Sequence, residues 1–226
     1  MSLQMTENEF HGQYWNYYIQ LENDFFALEP FCSIDTANSN SFSVKYLQLI
    51  LSICGEIDTI CKRLCYCLDE TIDVAKVGID DYRAILMANY PQIADECVSI
   101  KRHNYRKIKP FQSWAFKHNP QWWDAYNRIK HHRDEDYSGK KAYQHATQKN
   151  VIDALAGLYI VEIYWAAYTF VLKNGLVDNI IMNGLKSTQL VTENWKPFYQ
   201  GVVGRKYFNA DTCRKYFISR KEYANE

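Results

Sequence analysis

Apolar positions along the first 175 residues recur mostly at helical spacing. From 7 to 28, Phe10, Tyr14, Tyr17, Leu21 and Phe25 fall on one face, with Tyr18 and Leu28 beside them. That period predicts an amphipathic helix, and Pro30 ends it. A polar loop rich in Ser and Asn covers 30–42. A second stripe, Val44, Leu47, Leu51, Cys54, Ile57, Cys61, Leu64 and Leu68, predicts a helix to about Leu68, capped by Ser41 or Ser43. Gly55 either weakens it or permits close packing, and Asp58 and Lys62 form a favourable i,i+4 pair. A short helix is expected over 80–90, and Asn119-Pro120 opens another over about 121–133. The last runs from about 142 to 173 and stops near Asn174-Gly175. Its stretch 151–172 approaches bilayer-spanning length, but Asp153 and Glu162 interrupt it and no comparable segment follows. It reads as the central helix of a bundle.

Two segments break the helical pattern. Residues 97–102 and 105–109 read as short strands around His103-Asn104, a hairpin that must pack on the helices. Beyond 175, helical and loop pieces alternate, with Trp195, Phe198, Tyr207, Phe208, Tyr216 and Phe217 to anchor them. The expected architecture is all-α: an antiparallel helical bundle over 1–175 with a small β-hairpin insertion near 97–109, and a 176–226 extension packed on it.

Composition agrees with a globular chain. Of 226 residues 47% are apolar and 23% charged, and nine Gly with five Pro argue against a turn-rich β fold. At 15% aromatic, rings must fill much of the core. The net charge is zero but uneven. Residues 1–100 hold 5 basic and 15 acidic side chains, whereas 101–133 hold 9 basic ones against Asp124 alone. Such a run can form a positive patch for phosphate, or be neutralised by the acidic first half. Cys54, Cys61 and Cys65 share a helix face with Cys67 nearby, and no CxxC pair occurs, so reduced core thiols are expected rather than a metal site. The first ten residues carry no apolar signal core, which together with the thiols points to the cytoplasm. The chain carries no Gly-rich phosphate loop, nucleophile elbow or HExxH, and no metal or cofactor is expected. His11, His118 and His145 read as ordinary surface or core residues.

The chemistry concentrates at 122–133. Asn127 and His131 are four apart on one helix face, which Trp123 extends; Tyr126 with Lys130, and Arg128 with His132, form adjoining rows before Arg133. Imidazole moves protons near neutral pH, guanidinium groups grip phosphate, and rings stack on unpaired bases. Those ingredients suit RNA better than duplex DNA. The plainer alternative has the rings anchoring an amphipathic helix, Asn127 and His131 bonding a neighbour's backbone, and the cations solvated. Lys101, Arg102, Arg106 and Lys107 of the hairpin would extend a phosphate-binding surface.

The segment Tyr126-Asn127-Arg128-Ile129-Lys130-His131 resembles the motif of HEPN-like proteins, helical bundles common in phage defence and toxin–antitoxin systems. That motif is an Arg, a polar residue such as Asn, and a His five or six positions after the Arg. Asn127 and His131 stand at the polar and His positions, and Tyr126 stands at the Arg position. The layout of residues 7–173, with Glu56, Asp58, Lys62 and Arg63 on the second helix, is also similar to the family. The resemblance implies an RNA-directed homodimer with metal-independent ribonuclease chemistry, His131 acting on the 2′-hydroxyl or leaving oxygen beside Asn127. Arg128, Lys130 or Arg133 would have to supply the missing cation. It also implies a cognate antitoxin or defence partner and no membrane. The alternative from another class is a non-catalytic homodimeric interaction module, with the 121–133 helix as its face.

Overall fold

The computed structural model describes residues 5–101, 103–169, 187 and 189–192. Its helices are α1 (Glu7–Phe10), α2 (Asn16–Phe26), α3 (Val44–Leu68), α4 (Ile79–Asn89), α5 (Gln121–His131) and α6 (Gln148–Ala167). Strands β1 (Val98–Ile100), β2 (Asp136–Tyr137), β3 (Lys140–Lys141) and β4 (Leu190–Thr192) form two small antiparallel pairs, β1–β4 and β2–β3. The protein is mostly helical, as the apolar spacing predicts.

The core is built on α6, which packs lengthwise against α3. Every residue from Val151 to Ala166 is buried, which accounts for a helix apolar nearly all round. Among the described residues no helix is long and apolar enough to cross a membrane. The helix starts later than the sequence predicts. Ala142–His145 is a 3-10 turn, and the Thr147 hydroxyl caps α6 by accepting from the Asn150 amide at 3.3 Å. Its expected stop near 173–175, and nearly all of the 176–226 extension, lie outside the described residues.

The Ser43 hydroxyl accepts from the Tyr46 amide at 3.1 Å, so Ser43 caps α3. From Cys54 through Leu64 the expected stripe is buried, but its first turns are rotated. Tyr46, Leu49, Ile50 and Ile53 face inward, while Val44 is 74% exposed. Tyr46 decides this, since its ring meets Phe25 and its hydroxyl accepts from Gln148 Nε2 at the start of α6. Asp58 and Lys62 pair at 2.7 Å as expected.

The first helix is continuous from 7 to 26 but contains a π-helical turn, His11–Trp15. Such a turn holds one more residue than the α-helical period allows. The apolar face therefore slips by one: Tyr14 and Trp15 are both buried, then Tyr18, Leu21 and Phe25. Tyr17, expected inside, is 40% exposed.

The hairpin expected at 97–109 is corrected. β1 pairs with β4, Val98 opposite Thr192 and Ile100 opposite Leu190, and its other edge makes a single bridge to Ile108. Only Val98 and Ile108 exchange amide bonds, at 2.8 and 2.9 Å. The far strand holds β1 over its full length, and 103–107 is left as loop. The arriving segment is fastened by a buried carboxylate. Glu22 accepts from the Tyr18 hydroxyl at 2.9 Å, the Ser187 hydroxyl and the Gln189 amide. A true hairpin lies elsewhere, β2–β3, where Ser138 (φ 50°) and Gly139 (φ 73°) form the two-residue turn.

Candidate nucleic-acid interface

α5 begins at Pro120 and buries its aromatic face. Trp122 donates from Nε1 to the Pro110 carbonyl at 3.0 Å, and its ring meets Phe111 edge-on. It passes Gly157 of α6 so closely that an added Cβ there would lie 3.2 Å from its ring. Trp123 packs on Tyr82 and Tyr126, and Ile129 completes the face. These rings therefore belong to the chain's own core. They are unavailable either to stack on bases or to anchor a partner, which corrects those two expectations, while the plainer one, rings anchoring an amphipathic helix, is what the structure shows.

The polar face ends in exposed groups. Asn127 is half-buried, and Lys130, His131, His132 and Arg133 are exposed. Among the described residues neither the Asn127 nor the His131 side chain has a hydrogen-bond partner. His131 meets only the His132 ring, 6.4 Å between centroids. His132 bonds Glu135 at 2.9 Å, Lys130 lies 5.3 Å from the Tyr126 ring, and the Arg128 guanidinium rests 3.0 Å over Tyr137 of β2. Asp124, on the same helix, has its carboxyl raised by partial burial, which Arg128 only partly offsets. The Tyr126 hydroxyphenyl, at the position of the motif's Arg, is buried.

At the other end of α5 lies a polar recess of about 600 Å³. The loop leaving Ile100 supplies Arg106, Lys107 and Lys109, α6 supplies Lys149 and Asp153, and Asp95 closes one side. Arg106 and Lys149 both donate to the buried Asp153 carboxylate, Lys149 at 3.0 Å. Lys149 also reaches Gln121 Oε1 at 3.0 Å, and Lys109 reaches Asp95 at 3.3 Å. Ser113 borders the recess, with its hydroxyl buried and without a partner among the described residues. Pro120 has no side chain that can cap α5, so the helix N-terminus also faces this space with its positive end.

The eight cationic and acid/base positions picked from sequence thus divide. Arg106 and Lys107 share the recess, while Arg128, Lys130, His131 and Arg133 lie a helix length away, about 15 Å at 1.5 Å per residue. Lys101 belongs to neither. Its Nζ donates to the Ser187 carbonyl at 2.6 Å and its amide to the Gln189 carbonyl at 2.7 Å, so it holds the β4 segment. Arg102 lies outside the described residues. Lys149, which sequence reading missed, carried a signal: with Asp153 it is an i,i+4 charged pair opening an otherwise apolar helix.

On the loop after β1, His103 bonds Glu29 at 2.6 Å and the Lys101 carbonyl at 2.8 Å. Burial works against its charged form, but these two acceptors outweigh it and raise its pKa above that of an ordinary imidazole. Cys54, Cys61 and Cys65 are buried thiols, and burial pushes Cys65 up to about 12, which leaves it unreactive at neutral pH. Among the described residues no three His, Cys, Asp or Glu side chains gather in a way that could hold a metal ion. Compared with protein-family models, with curated proteins and with solved structures, the chain matches none.

Proposed function

We propose that this chain is an RNA-directed protein of HEPN-like type that holds single-stranded RNA by its phosphates. The observation that carries the reading is the recess that Arg106, Lys107, Lys109 and Lys149 line together with Asp95 and Asp153. Fixed cations in a concave, partly desolvated site attract phosphate more strongly than the same charges on an open surface. A strand leaving the recess along α5 reaches Lys130 and Arg133. The loss of the α5 rings to the core makes this a backbone reader with little base preference.

In this reading cleavage belongs to a homodimer. His131 would serve as acid or base with Asn127 orienting it where two α5 ends meet, and Lys130 or Arg133 would supply the charge that Tyr126 lacks. Arg128 is already committed to Tyr137. A cognate antitoxin or phage-defence partner, and work in the cytoplasm, complete the proposal.

The test is retention of single-stranded RNA against salt. Affinity should fall steeply between 50 and 200 mM salt, with each phosphate contact adding about 0.7 to the log–log slope. Arg106→Gln with Lys107→Gln should flatten that slope by one to two contacts. No retention of any single-stranded RNA at low salt overturns the reading. Cleavage in chelator, lost in His131→Ala, would establish the catalytic part.

A second reading, a non-catalytic homodimeric interaction module, is favoured by a different surface. Exposed Phe42 and Tyr143 meet edge-on at 6.0 Å, with exposed Val44 in the next turn. Sedimentation of Phe42→Ser/Tyr143→Ser against wild type tests it, a dimer lost in the variant being the supporting result.

A further inference from the structure

We infer that His103 and Glu29 form a proton-operated latch: as an imidazolium–carboxylate pair they fasten the loop after β1 to the turn that ends α2, and loss of one proton releases it. The latch goes beyond the RNA reading and does not rest on it. Nδ1 of His103 lies 2.8 Å from the Lys101 carbonyl oxygen, and Nε2 lies 2.6 Å from Glu29 Oε1. Both partners are acceptors, so both ring nitrogens must donate. A neutral imidazole has one N–H, and only the imidazolium has two. Deprotonation therefore removes more than a charge. It sets a nitrogen lone pair against an oxygen lone pair at one of the two contacts, and the ring must turn or leave.

Side chains hold this loop because its backbone does not. Val98 and Ile108 exchange amide bonds at its far end, and the Lys101 amide reaches the Gln189 carbonyl at its near end. Between them the His103 amide makes a long bond, 3.4 Å, to the Ile100 carbonyl. Among the described residues the amides of Asn104, Tyr105 and Arg106 make no backbone hydrogen bond. Among the fasteners are the His103–Glu29 pair, Tyr105 packed against the core, and Arg106 on Asp153. Arg106 therefore reaches the recess from a segment whose near half is tied to the α2 turn through the proton on His103.

The surroundings set the pH at which the latch works. Among the described residues Glu29 is the charged group facing the ring. Lys101 presents its carbonyl, its ammonium being turned to the Ser187 carbonyl, and α2 adds the Phe26 ring, 6.1 Å between centroids. Burial disfavours the imidazolium, but the two acceptors outweigh it and raise the pKa above the ordinary 6.5. The latch is thus closed below 6.5 and opens as pH climbs through the raised value. That window begins just below neutrality, where histidine is the side chain suited to switch. With 19% of its side chain exposed, the ring can pass its proton to water.

The experiment is an NMR titration of the full chain from about pH 5.5 to 8.5, which brackets the range where histidine titrates. It follows the His103 ring nitrogens, and the backbone order parameters of 103–105 by Cα relaxation. At the acid end both nitrogens should carry a proton and the order parameters should be about 0.85. They should fall toward about 0.6 with the midpoint at which the ring titrates, above 6.5. Glu29→Gln, at a position 40% exposed, should lower both midpoints together. His103→Gln, which keeps one donor and cannot titrate, should leave 103–105 mobile at every pH. A wild-type ring that titrates at or below 6.5, or that lacks one proton at the acid end, overturns the inference without any variant. Loop order that stays constant while the ring titrates also overturns it, as does a pH-dependent loosening that persists in His103→Gln. None of these results turns on whether RNA binds, so the latch and the RNA reading fail separately.

Discussion

Glu162 sits in the middle of α6 with no exposure, and neither of its carboxyl oxygens has a hydrogen-bond partner. Burial raises its pKa well above the carboxylate range, and the charge of Glu56 on α3 raises it further. The group is thus held as a neutral acid whose polar atoms lost water and gained nothing. Leaving such a group unsatisfied costs about 1–3 kcal/mol. Glu162→Met keeps the unbranched length and removes both oxygens, so it should stabilise the fold by about that amount. For a chain of this size that is a rise in Tm of roughly 2–10 °C. The pH dependence follows from the sign of the shift. A carboxyl with a raised folded pKa binds more protons native than unfolded, so stability falls as pH rises above about 4.3, the unfolded value. The gain from Glu162→Met should therefore be about 1–3 kcal/mol near pH 4 and grow larger through neutrality. Glu162→Gln should remove the pH slope with less gain, because its amide is equally unsatisfied. Urea unfolding of the three proteins from pH 4 to 8 measures this. A Met variant less stable than wild type at every pH would refute the reasoning, because it would mean that the carboxyl has a partner worth more than its burial costs.

The remaining predictions concern the segment after β1 and the α5–α6 contact. His103→Gln should lose stability at pH 6 and little at pH 9, since a raised His pKa contributes below the unfolded value near 6.5 and is lost as pH climbs through the folded one; the pair lies near the surface, so about 1 kcal/mol or less is expected by thermal unfolding. Gly157→Ala should destabilise by about 1–3 kcal/mol although alanine favours helix by about 1, because the Trp122 ring lies 3.2 Å from the new methyl and is pinned by its bond to Pro110; indole fluorescence should shift with it. Lys101→Met should speed amide exchange at 189–192 and leave the salt slope of RNA binding unchanged, whereas a slope lowered by one contact would show Lys101 to be a phosphate ligand.

Where the chain could be read by periodicity alone, the reading held. The bounds of α3, α4 and α5 fell within two residues, and α6 is central because nothing on its surface from 151 to 166 wants water except two acids. The failures share a cause: each was settled by a partner far along the chain. The phase slip at Tyr17 needed the π-turn, and the rotation of early α3 needed Tyr46 to meet Gln148. β1 found its strand in a segment that no local pattern connects to it. The Ser138-Gly139 turn was a local signal passed over. The candidate site divides in the same way. Basic character at 101–133 was plain, but convergence of Arg106 and Lys107 with Lys149 depends on how a loop folds back over α6, which spacing cannot reveal. Placing Trp123 on the ligand face with Asn127 and His131 overlooked that the same helix needs its rings to seal against Tyr82 and Gly157.

The pairing of β1 with β4 also orders events in time. Val98 and Thr192 are separated by more than ninety residues. On the ribosome the helices through α6 emerge and can pack well before Leu190 appears. Until it does, β1 lacks its paired strand, the Glu22 carboxylate lacks the Ser187 hydroxyl and the Gln189 amide, and Lys101 has no Ser187 carbonyl to grip. The loop bearing Arg106 and Lys107 is rooted on that strand. The cationic recess therefore takes its final shape as one of the last acts of synthesis, after a slow, long-range closure. A nascent chain stalled before residue 190 would carry the helices but not a finished anion site.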